Sequence, residues 1–191
     1  MKKLLFVLFA IGLMAGFSNK VVAQAAFDNE VFTYQLDAFA ILDIEGTPPS
    51  LELVKPTNAG LAVPDVSTDA NATWSWINYT SIIDVDETYD VTVEIDVMPP
   101  SFTTLKVAAA EHFGTGDGSF GTRVGDVTFA AIETAEDIIT GIGSCWSGDG
   151  ANGHKLTYTW GITAGAYANA VSVASASDIT VLYTIIAIPA L

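Results

Sequence analysis

Apolar side chains recur at every second residue through most of this chain, the period of a strand with one face on a core and the other toward water. The clearest case is 89–97, where Tyr89, Val91, Val93, Ile95 and Val97 fall on one side and Asp90, Thr92, Glu94 and Asp96 on the other. Its β-branched residues are the types that pack well on a pleated surface. The same rhythm predicts strands at 103–110, 124–132 and 155–163, with further strands at 50–54, 72–80, 179–187 and 170–174. Turn chemistry separates them: Pro99-Pro100, the glycines of 114–121, Gly148-Asp149-Gly150 and Asn152-Gly153 supply a fixed φ or tolerate a positive one. Residues 130–139, with Glu133, Glu136 and Asp137, read as a short helical turn.

About eight or nine strands, with no long amphipathic helix between them, predict an all-β domain built as one antiparallel β-sandwich. Half the chain is hydrophobic, so a core can be buried without covalent staples. Cys145 is the only cysteine and can form no internal disulfide. No base stands beside it, so it reads as an inert, partly buried thiol.

Lys2 and Lys3, the apolar run 4–17 and Val21-Val22-Ala23 ahead of Gln24 have the charged, greasy, small-residue order of a secretory signal peptide. The run of about 14 residues is shorter than the ~20 a helix needs to cross a bilayer, so cleavage is expected and no membrane insertion of the mature chain. The expected organisation is a signal peptide over 1–23, an N-terminal segment over 24–37 and a domain over 38–191. The whole chain carries −15; loss of Lys2, Lys3 and Lys20 leaves Lys55, Lys106, Arg123 and Lys155 against 22 acids, or −18. Such a charge repels nucleic acid and anionic membranes, favours cations and keeps a secreted protein soluble.

Two readings fit the alternation of 31–44. A single long first strand that bends between the two sheets is the preferred one. In the other, 27–37 is an arm that pairs outside its own domain, with Phe32, Tyr34 and Leu36 as alternate contacts, and 38–44 is the first internal strand. Fourteen residues would extend over ~46 Å, about twice a usual strand.

Asp84, Asp86, Glu87 and Asp90 form the best candidate cation cluster, because calcium takes six to eight oxygens and closely spaced carboxylates can converge from one loop. They do not match the calcium-loop pattern. His112 and His154 are the only histidines and read as surface residues. Glu94 and Asp96 share a strand face, yet a glycosidase pair needs a cleft that raises one carboxyl pKa, and an open face supplies none. The chain is therefore expected not to be an enzyme, with no cofactor beyond calcium. Trp74, Trp76 and Tyr79 offer a glycan platform if exposed, although large aromatics more often fill the space between sheets. Asn71 and Asn78 head N-x-Thr sequons.

Residues 163–173, Thr-Ala-Gly-Ala-Tyr-Ala-Asn-Ala-Val-Ser-Val, followed by the alternating 179–185, resemble the closing strands of bacterial pilin-like and spore-coat-like secreted sandwiches. The end of the signal peptide, Ala23-Gln24, is similar to those of exported Bacteroidetes proteins. The resemblance covers a quarter of the chain, without the disulfide of many such subunits. It implies an extracellular or cell-surface structural or adhesive protein that self-associates into an oligomer or filament by lending a strand. The alternative is a monomeric, secreted carbohydrate-binding module that uses Trp74 and Trp76 with calcium assistance.

Overall fold

A computed structural model describes residues 33–69, 74–129, 131, 132, 134–173 and 177–189. The chain divides between Gln35 and Leu36, and the architecture below belongs to the unit that begins at Leu36. Its strands are β1 (Phe39–Gly46), β2 (Val66–Ser67), β3 (Ser75–Ile82), β4 (Glu87–Ile95), β5 (Thr103–Phe113), β6 (Asp117–Arg123), β7 (Asp126–Thr128), β8 (Glu136–Trp146), β9 (Gly153–Ile162) and β10 (Val181–Pro189). A single 3-10 turn, Tyr167–Asn169, is the only helical element among the described residues.

The all-β, antiparallel class expected from the alternation is what forms. All ten strands belong to one ladder of order β10-β4-β8-β3-β9-β5-β7, with β1 on β3, β2 on β9 and β6 on β8. The ladder forks at β3: Ser75 to Ile77 pair with Leu156 to His154 of β9, while Thr80 and Ser81 pair with Trp146 and Cys145 of β8. It also folds back on itself. β9 and β10 are well separated along the ladder, yet the Tyr158 and Tyr183 hydroxyls meet at 2.7 Å, and Val91, Val93, Leu105, Val107, Ile139, Ile142 and Leu156 belong to one buried cluster.

The alternation of β4 buries Tyr89, Val91, Val93 and Ile95 as read from sequence, but Val97 lies beyond the strand and is exposed. Several expected elements differ. Residues 50–54 and 170–173 form no strand, and of 124–132 only Asp126–Thr128 does, with residue 130 outside the described residues. Of residues 130–139, read as a helical turn, 136–139 open β8 and 131, 132, 134 and 135 are not helical, with 130 and 133 outside the described residues; β-bulges break the period of two where β8 meets β4. Tyr89 faces Ile142 while Val91 faces Ile139, so β8 holds one residue more than β4 between those pairs. Gly141 takes φ +70° at the bulge, and Asp90 Oδ1 accepts its N–H at 2.8 Å. A second shift follows, Val91 facing Ile139 while Thr92 faces Asp137, so Ile138 is an extra residue and adjacent Ile138 and Ile139 are both buried.

The single long first strand does not form either. Residues 33–38 have no regular structure and β1 opens at Phe39. Phe32 and the earlier residues of the segment lie outside the described residues.

Candidate functional site

Among the described residues β1, β2, β6, β7 and β10 each pair with a single strand, and the two longest of these are β1 and β10. β1 pairs only with β3, in unbroken register from Phe39 opposite Ile82 to Gly46 opposite Ser75. β10 pairs only with β4, from Val181 opposite Ile95 to Pro189 opposite Glu87. The two come within contact of each other without pairing, so both open edges border the same flank of the core. Along that flank Ala40, Leu42, Val181, Tyr183 and Ile185 pack on the core but are only partly covered. On the opposite faces of these strands Phe39, Ile41, Leu182 and Ile186 are exposed. Of the expected arm contacts, Tyr34 is 93% and Leu36 70% exposed.

The aromatic trio of the sequence is divided by strand parity. Ile77, Tyr79 and Ser81 face the core, whereas Trp74 and Trp76 belong to the outward set. Tyr79 is therefore no part of a platform, and the two tryptophans do not fill the core as the plainer reading had it. Trp76 stands between Glu45 of β1 and Lys155 of β9, its partners in register on either side. Asn78 is 5% exposed and donates from Nδ2 to Gly150 O at 3.0 Å, so its sequon is closed to modification in the folded protein. Asn71 lies outside the described residues.

The four acids do not converge as expected. Asp84 Oδ1 accepts the Val85 N–H at 2.7 Å, Asp86 takes φ +63° in the turn between β3 and β4, and Asp90 is drawn to the Gly141 amide in the β8 bulge. Along an extended strand Glu87 and Asp90 are separated by about 10 Å. Among the described residues no three His, Cys, Asp or Glu side chains are placed to share an ion.

The histidines are not independent surface residues. His112 and His154 face each other across β5 and β9, their rings meeting edge-on with centroids 5.8 Å apart. His154 is 1% exposed; its Nδ1 lies 2.8 Å from Ala110 O and its Nε2 2.7 Å from the Tyr79 hydroxyl. His112 stacks on Phe120 with 3.6 Å between centroids. Burial pushes the Tyr79 hydroxyl, the Cys145 thiol and the Tyr158 hydroxyl above their usual ranges and holds His154 below the usual histidine range. Cys145 is buried with its Sγ 3.5 Å from Ser81 Oγ, an environment that suppresses the nucleophilic thiolate.

No family model, curated protein or solved structure matches this chain. No helix among the described residues is long and apolar enough to cross a membrane.

Proposed function

We propose that this protein is an extracellular, non-enzymatic structural or adhesive subunit that associates with copies of itself by strand addition. One observation carries the reading: β10 is an edge strand of nine residues, unbulged, without a charged side chain and apolar on both faces. A bare edge presents a row of unpaired N–H and C=O groups to any passing strand. Folded proteins usually guard such edges with charge, brevity, a bulge or proline. β10 has only Pro189, at its last position. β1 is better guarded, since Asp43 and Glu45 lie on it.

The donor is the segment 27–37 of a second copy. At about 3.3 Å per residue its eleven residues reach over ~36 Å, enough to run the whole length of β10. Backbone pairing would supply affinity, and the alternate side chains Phe32, Tyr34 and Leu36 would cover the thinly shielded flank of the core. The extracellular setting rests on the order of charged, apolar and small residues over 1–23.

Removal of residues 24–37 should convert oligomers or filaments into folded monomers, read by size-exclusion chromatography, negative-stain microscopy and circular dichroism. The pair Leu182→Lys and Ile186→Lys, at exposed positions of β10, should do the same from the acceptor side. Assembly unchanged by either alteration refutes strand addition, as does a full protein that stays monomeric at high concentration.

A further inference from the structure

The outward face of β3 carries a second feature that assembly does not use. Trp74 and Trp76 line a depression of about 580 Å³ together with Glu45, Thr47 and Gly150, a size within the range of small-ligand sites. Its walls are tied to the strand beneath. Ser75 Oγ donates to Thr47 O at 3.4 Å on one side, and the buried Asn78 holds Gly150 O on the other.

The two indoles are also held by side chains that do not line the depression. Lys155 Nζ sits 4.8 Å from the Trp74 ring centroid and is itself pinned by Asp69 at 2.5 Å, a cation–π contact braced by an ion pair. Trp76 leans on Phe113, with 6.2 Å between ring centroids and 36° between planes. An exposed Trp74 and a half-buried Trp76 fixed in this way lose little conformational freedom when a ligand arrives, which is the physical advantage of a preorganised site.

We infer that this depression binds a neutral pyranose glycan. The C–H face of a sugar ring stacks on an indole, whose π face is electron-rich, while the ring's edge hydroxyls need acceptors. Among the lining residues Glu45 carries a carboxylate and Thr47 a hydroxyl. Charge selects the ligand further: among the described residues no cation lines the depression, the nearby Lys155 is already paired with Asp69, and a chain of −15 repels uronate, sulfated or phosphorylated sugars. A purely apolar partner would strand the Glu45 carboxylate without hydrogen-bond donors, at a desolvation cost that a hydroxylated ring avoids.

The test uses the full protein and a panel of neutral hexose, pentose and N-acetylhexosamine oligosaccharides with uronate and sulfated oligosaccharides beside them, read by tryptophan fluorescence and calorimetry. Trp74→Ala and Trp76→Ala should each weaken binding of the neutral oligosaccharide that responds by about tenfold or more. Glu45→Gln should weaken it less, and Trp146→Ala, at an exposed tryptophan elsewhere on the molecule, should leave it unchanged. Circular dichroism of each variant confirms that the fold survives, and the double substitution Trp74→Phe with Trp76→Phe should retain part of the affinity. The inference is overturned by silence across the neutral panel, by preference for the acidic sugars, or by binding that Trp146→Ala disturbs as much as Trp76→Ala. Because the depression and the β10 edge share no residue, loss of glycan binding with assembly intact, or the reverse, assigns each failure to its own reading.

Discussion

At the residue scale the most constrained groups are Tyr79 and His154. A neutral His154 whose Nδ1–H is given to Ala110 O has only an acceptor left at Nε2, and the single Tyr79 proton must then serve either that nitrogen or Phe120 O. Burial is the main cause that lowers the His154 pKa, helped by the neighbouring His112 ring; the Ala110 and Phe120 carbonyls and Glu111 act in the opposite sense. An unfolded histidine titrates near 6.5, so below that pH the unfolded chain takes up more protons than the native one. Stability is therefore complete above about 6.5 and is lost as pH falls through the lower native value. Urea midpoints measured from pH 7.5 to 5.5 should decline more steeply for the wild type than for His154→Gln, whose side chain does not titrate; parallel slopes would remove His154 from the account. Tyr79→Phe should cost about 1–3 kcal/mol at neutral pH, because two buried acceptors then compete for no proton at all.

At the scale of elements, β6 and β8 show why some strands escape a reading of alternation. β4, β5 and β9 were legible because each keeps the period of two over its buried face. β8 loses it at the Gly141 bulge, and β6 is so rich in glycine that its sequence reads as a turn. The glycine at 118 has another purpose: at φ +106°, a Cβ there would lie 2.2 Å from Ser144 O, so the bare backbone lets β6 come against β8. Gly125 has a similar φ of +116° with nothing within 4 Å of its Cβ position. Both alanine variants incur backbone strain of about 1–3 kcal/mol, and only Gly118→Ala adds a collision with main chain. Chemical denaturation should show Gly118→Ala as clearly the less stable of the two; equal losses would mean that φ alone decides. Cross-strand register explains what else was hidden. Parity alone sorts Tyr79 from Trp74 and Trp76, but nothing local to β3 tells that Glu45 and Lys155 flank Trp76, or that His112 opposes His154. Those neighbours follow from which residue of one strand meets which of another, over separations that turn and bulge geometry sets.

For the whole molecule, charge and edge exposure act against each other. Copies that carry −15, or −18 without the first 23 residues, repel one another before any strand can pair. Few cations are free to offset this, since Arg123 already pairs with Glu111 and Lys155 with Asp69. An interface held by backbone hydrogen bonds and by Phe32, Tyr34 and Leu36 draws none of its attraction from ion pairs, so added salt screens only the repulsion. Between about 10 mM and 150 mM ionic strength the screening length shortens from ~30 Å to ~8 Å. The oligomeric fraction at fixed protein concentration should rise across that range, measured by sedimentation velocity or light scattering. A fraction that falls with salt would require an attractive interface of opposite charges, and with so few cations unengaged that outcome would remove the apolar β10 edge as the assembling surface.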